Sequence, residues 1–134
     1  MKATVMLRHL SISSSPIDQA GPLQGCHIDA ATGAVVCFTG IVRGDEEGRT
    51  IAALDYETFQ KMAEYQFHLL FDQVEKQWPV KSIRLVHRIG RVPVGEASIW
   101  MEIAAPHREE AFAACQFVIS EMKIRVPIWK KALS

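Results

Sequence analysis

Thr50 to Pro79 reads TIAALDYETFQKMAEYQFHLLFDQVEKQWP, and within it the spacing of the apolar residues changes. TIAALDYE, residues 50–57, reads as a strand. From Thr58 to Trp78, the residues Phe59, Met62, Ala63, Phe67, Leu70, Phe71, Val74 and Trp78 recur at three- and four-residue steps. That is the stripe of an amphipathic helix with one face on a core. Pro79 ends it, because a proline ring has no N–H to give the preceding turn.

The same alternation of types runs outward in both directions. Upstream, ATVMLRHLSI (3–12) suggests a first strand, and SSSPIDQAGPLQG (13–25) is rich in turn residues. GAVVCFTGIVRG, Gly33 to Gly44, is an apolar β-type run expected to be covered on both faces and to form a hairpin with 50–57. GDEEGR, residues 44–49, is a charged, glycine-bracketed loop that reads as mobile. Downstream, SIRLVHRIG and ASIWMEIAA are two further strands joined by the tight link RVPVGE. A second helix comes next, with Pro106 in its first turn, Glu109 and Glu110 at its positive end, and a stripe of Ala111, Phe112, Cys115, Val118, Ile119 and Met122. Strands flanking two helices make an α+β domain with a mostly antiparallel sheet.

At 134 residues the chain has the length of one domain, 1–134. Fifteen Lys and Arg balance fifteen Asp and Glu, so no global field recruits nucleic acid or an anionic membrane, and any anion site has to be built locally. Cys26, Cys37 and Cys115 are odd in number and lack zinc-type spacing. Cys37 and Cys115 read as small core residues. The N-terminus has no signal-peptide pattern and no apolar run is long enough to span a bilayer, which reads as cytoplasmic.

The chemistry gathers near the end, in MKIRVPIWKK, Met122 to Lys131. Pro127 disfavours helical geometry at Val126, so the second helix should stop between Lys123 and Arg125. Lys123 and Arg125 could do no more than complement the negative end of a helix, and Lys130 and Lys131 could belong to a solvated tail. Neither role explains why Ile128 and Trp129 stand among them. If the chain doubles back at Pro127 and packs that pair, Lys123 and Lys130, seven positions apart, converge on one pocket. A straight run would part them by up to ~23 Å. Two adjacent amines, partly desolvated, can supply a nucleophile or general base, and when protonated they hold an anion.

Two further places suit an anion. PHREE puts His107 and Arg108 at a helix start, where backbone N–H groups point outward. FTGIVRG delivers Arg43 from a strand into a glycine-flanked loop. Either could instead be plain surface, and His87-Arg88 reads as structural. Glycines 40, 44 and 48 are too sparse for a nucleotide-binding loop.

GAVVCFTGIVRG, LDYETFQKMAE, HRIGRVPVGE, APHREEAFAACQFVISEMK and KIRVPIWKK occur here in an order that resembles the large, catalytic subunits of molybdopterin synthase, from about Gly33 to Lys131. The resemblance implies an α/β hammerhead-like fold. It implies a sulfurtransferase of molybdenum cofactor biosynthesis, which converts cyclic pyranopterin monophosphate into molybdopterin by installing its dithiolene sulfurs. The sulfur donor would be a ubiquitin-like small subunit ending in a Gly-Gly thiocarboxylate, in a heterotetramer built on a homodimer of the large subunit. Lys123 and Lys130 match the functional lysines. Arg43, His107 and Arg108 match substrate-binding positions, joined by Ile41, Val42 and Lys131 in the same segments. Neither metal nor redox cofactor is implied, because the sulfur arrives activated.

Three features depart from the family pattern: Ile41 where a basic residue is common, the acidic GDEEGR loop, and the ending ALS after Lys131. Contacts that a longer tail makes are therefore expected to be missing or replaced. Two rival readings are a non-catalytic scaffold gripping an acidic or ubiquitin-like tail, and an RNA-binding α+β module. The zero net charge and the lack of an aromatic strand signature count against the second.

Overall fold

The computed structural model describes residues 5–18 and 28–134. Cys26, the first two positions of the expected opening strand and residues 19–25 of the turn-rich stretch lie outside them. The chain runs β1 (Leu7–Ser13), β2 (Ala34–Ile41), β3 (Asp45–Glu46), β4 (Arg49–Thr50), β5 (Ala53–Thr58), α1 (Gln60–Gln77), β6 (Ser82–Arg88), β7 (Gly90–Pro93), β8 (Ala97–Ala105), α2 (Arg108–Arg125) and β9 (Ile128–Leu133). The result is α+β: one four-stranded sheet in the order β1-β6-β8-β2, one three-stranded sheet in the order β7-β5-β9, and the β3–β4 hairpin. Every pairing is antiparallel except β1 on β6.

The stripe of α1 explains the main core. Ala63, Phe67, Leu70, Phe71 and Val74 are fully buried against Ile83, Leu85, Met101 and Ile103 of the sheet and Ala111, Ala114 and Val118 of α2. Each large side chain so buried contributes roughly 1.5–3 kcal/mol. The stripe narrows at its ends: Phe59 and Met62 are exposed, as is Phe112 at the start of α2. Arg8 ties β1 to the outer face of α1 through Asp72 and Glu75. A smaller core of Val42, Ile51, Leu54 and Val92, with Tyr56 against it, fills the underside of the three-stranded sheet.

Four expectations are corrected. The apolar run from Gly33 is not covered on both faces: β2 is an edge strand, and both Val35 and Cys37 are exposed. The strand buried along its whole length is β8, which lies between β6 and β2. Nor does β2 form a hairpin with β5. It pairs with β8, and β5 is claimed by β7 and β9, so RVPVGE is partly a strand rather than only a link. Of the two cysteines read as core, only Cys115 is buried. Finally, Pro106 precedes the helix: α2 starts at Arg108 with His107 as its extended N-cap, whose N–H donates to Glu110 Oε1 at 2.7 Å.

Candidate active site

The end of α2 behaves as the proline dictates. Val126 caps the helix in an extended conformation with φ −89° and ψ 126°. The chain then reverses. The Pro127 carbonyl accepts from the Phe59 N–H at 3.4 Å and from the Thr58 hydroxyl at 3.1 Å. Those two bonds start an antiparallel ladder along β5 that sets Tyr56 opposite Lys130 and Asp55 opposite Lys131. Ile128 packs on the main core. Trp129 remains half exposed and meets Phe59 edge to face at 5.2 Å, so the apolar pair anchors the segment with one residue inside and one outside.

This reversal brings the two lysines to one cavity of about 500 Å³. Its walls come from the end of β2, the β3 strand, β5, the last turns of α2 and the start of β9, where the two larger sheets meet. Lys123, Lys130, Arg43, Ile41 and Val42 all line it. Gly40 makes room for that wall: a Cβ there would stand 2.7 Å from Ile99 Cγ2. The β2–β8 register shifts between Gly40 and Ile41, where Ser98 of β8 is the extra residue, and such a bulge ends the regular pairing beside the pocket, just before Val42 and Arg43. Val42 is buried in the small core, while Ile41 is half exposed at the rim.

The remaining predicted residues are not brought there. Lys131 comes after Lys130 in β9 and does not line the cavity, because successive strand residues point to opposite faces. His107 and Arg108 are exposed at the far end of α2, and a helical rise of 1.5 Å per residue puts Arg108 about 22 Å from Lys123 along the axis. One copy of the chain cannot bring them to the same ligand.

The charges in the cavity are unevenly satisfied. Lys130 Nζ pairs with Glu46 Oε2 at 3.2 Å. Among the described residues, no carboxylate pairs with Lys123 or Arg43. Both lysines are exposed, so the desolvation expected of them is not present in the free chain. With Asp45 and Glu46 as the facing acids, three cations stand against two carboxylates. The arrangement suits an anion.

Three lining residues escaped the sequence reading. His87 is buried at the floor, and its ring meets Tyr56 at 5.3 Å, nearly perpendicular. Its Nδ1 lies 2.8 Å from the Arg88 carbonyl oxygen. A carbonyl only accepts, so Nδ1 carries the proton and the neutral ring keeps its lone pair on Nε2. Burial pushes the imidazole below its usual value, outweighing the hydrogen bond that favours the charged form. Glu46 is the third, and its acidic loop was the only signal. Among the described residues, no cluster of His, Cys, Asp or Glu could hold a metal ion.

Comparison with known proteins agrees in family. The family described as MoaE protein matches residues 12–125. A protein of Nostoc sp. named molybdopterin synthase catalytic subunit is 41% identical over 104 residues, 77% of this chain and 63% of its own length. A human protein of the same name is 38% identical over 106 residues, 79% of this chain and 56% of its own. The chain therefore spans about six tenths of the length of these relatives. The structure of molybdopterin synthase from Staphylococcus aureus superposes with a TM-score of 0.83 at 33% identity, covering 92% of this chain and 89% of that one.

Proposed function

Because the chain belongs to the MoaE protein family, we propose that it is the catalytic subunit of a molybdopterin synthase, a single-domain sulfurtransferase working in the cytoplasm. It takes sulfur from the C-terminal thiocarboxylate of a ubiquitin-like small subunit and places it on cyclic pyranopterin monophosphate. The observation that carries this reading is the convergence of Lys123, Lys130 and Arg43 on one cavity.

Each part of the cavity has a task in that chemistry. Both reactants are anionic, and the unpaired Arg43 and Lys123 supply the charge that draws them in and holds them together. Each transfer makes a bond from sulfur to a pterin side-chain carbon as that carbon's C–O bond breaks and its oxygen leaves with a proton or as the phosphoester oxygen. Water then cleaves the bond from sulfur to the tail's acyl carbon, which leaves the tail a carboxylate. Negative charge develops on the acyl oxygen along the way, and an ammonium placed beside it stabilises that charge. The seated tail and pterin cover the two exposed lysines, which then experience the desolvation that the free chain lacks. Ile41 and Val42 give the pterin an apolar wall. No metal or redox cofactor has a step here.

His107, Arg108 and Lys131 keep a substrate role only under conditions set by their placement. The His-Arg pair reaches a pocket as part of a second copy of the chain, within the homodimer and heterotetramer. Lys131, on the other face of β9, serves the partner's tail or the rim.

The test is reconstitution: the protein, a thiocarboxylated small subunit and the cyclic pterin are mixed, and dithiolene formation is monitored. Product that depends on all three components supports the reading. Binding of the small subunit with no product returns the protein to the scaffold class.

A further inference from the structure

We propose that Glu46 is the resident counter-ion of Lys130, a carboxylate that holds the pocket's anion position in the free protein and yields it when an anionic reactant enters. The idea rests on the functional reading above for the class of ligand, a phosphoester or a terminal carboxylate or thiocarboxylate, and on the geometry for everything else.

Glu46 Oε2 lies 3.2 Å from Lys130 Nζ, and both side chains line the cavity. The pair is asymmetric: the Glu46 side chain is 21% exposed and that of Lys130 54%, so the carboxylate sits on the inner side. Lys130 is fixed by the ladder that pairs it with Tyr56. Glu46 is not. It belongs to a hairpin of two residue pairs, Asp45 with Thr50 and Glu46 with Arg49, which forms a sheet of its own. The turn uses positive φ at both central residues, 53° at Glu47 and 78° at Gly48, the geometry of a tight two-residue hairpin. Its base is closed by one bond, from the Ile51 N–H to the Gly44 carbonyl at 3.1 Å. The hairpin can therefore swing as a unit without breaking either larger sheet.

The consequence is selective. Among the described residues, Lys130 is the one of the three lining cations with a carboxylate partner, while Arg43 and Lys123 stand open. An entering anion meets those two first and competes with Glu46 for the third. Removing the carboxylate raises the net charge of the lining by one unit and takes away the competitor. Glu46 acts through Lys130 and is a positioning residue rather than a catalytic one.

The experiment compares the full chain with Glu46→Gln, which keeps the shape and removes the charge. Two probes are titrated at low salt: inorganic phosphate, standing for the phosphoester, and a short peptide ending in a Gly-Gly carboxylate, standing for the tail. The variant should bind at least one of them about 2- to 5-fold tighter, the range expected for releasing a half-exposed ion pair. The gain should vanish when Lys130→Ala is added, and it should shrink as salt screens the site. Which probe gains identifies the source of the anion. Unchanged binding of both probes, or a gain that survives Lys130→Ala, overturns the proposal. A parallel sulfur-transfer assay separates the two readings: a gain in binding by a protein that never transfers sulfur leaves Glu46 in place and removes the enzyme.

Discussion

At the scale of single residues, the site is a matter of which charges are paired. Lys123 and Lys130 were legible as a pair because a proline between them forces a reversal, and backbone geometry is the part of structure that sequence encodes most locally. His87 and Glu46 were not. Their roles come from neighbours far along the chain, Tyr56 for the imidazole and Lys130 for the carboxylate, and a lone histidine in an apolar strand shows no trace of that. The buried His87 carries a pH prediction. Its folded-state value is depressed, so on acidification through about 6.5, the ordinary imidazole value, the unfolded chain takes up a proton that the folded chain still refuses. The unfolded state then holds more protons, and stability falls as pH drops through that window. In His87→Gln that share of the loss disappears. Urea midpoints measured from pH 7.5 to 5.5 should fall less steeply for the variant than for the parent, and parallel slopes would show that His87 titrates alike in the folded and unfolded chain.

At the scale of elements, both helices and the stop at Arg125 were readable, because a 3.6-residue stripe and a proline are signals within one segment. Strand neighbours were not readable. GAVVCFTGIVRG looked like a strand buried on both faces because it is apolar throughout. What decides burial is position in the sheet, and β2 lies at the edge while β8 lies inside. The small residue in that edge strand has a specific duty. Gly40 lets β2 approach Ile99, and a Cβ would close to 2.7 Å of its Cγ2. Gly40→Ala should cost about 1–3 kcal/mol by overpacking, read as a lowered urea midpoint. Because the same residue sits at the pocket wall, it should also weaken anion binding. An unshifted midpoint would mean that Ile99 moves aside freely.

At the scale of the whole molecule, the separation of His107 and Arg108 from the lysines decides how many copies a working site needs. About 22 Å of helix stands between Arg108 and Lys123, so if both serve one ligand, as proposed, they do so across a subunit boundary. Mixing Lys123→Ala subunits with Arg108→Ala subunits should then restore activity that neither variant has alone, since a mixed dimer holds one pocket with both groups intact. Mixtures no more active than the separate variants would assign Arg108 to the fold or to some other surface. The sequence could name these residues, through resemblance, but not their separation from the lysines, because distance along a helix appears only once its ends are known. The most direct measurement concerns the central claim, that the chain reverses at Pro127 to build one sulfur-transfer pocket from Lys123, Lys130 and Arg43. Single-turnover dithiolene formation by Lys123→Ala, with the small subunit and pterin saturating, should be slower by at least about a hundredfold, the loss typical of a group that handles charge or protons at the reacting atoms, with an unchanged urea midpoint. Turnover at the parent rate would contradict the account.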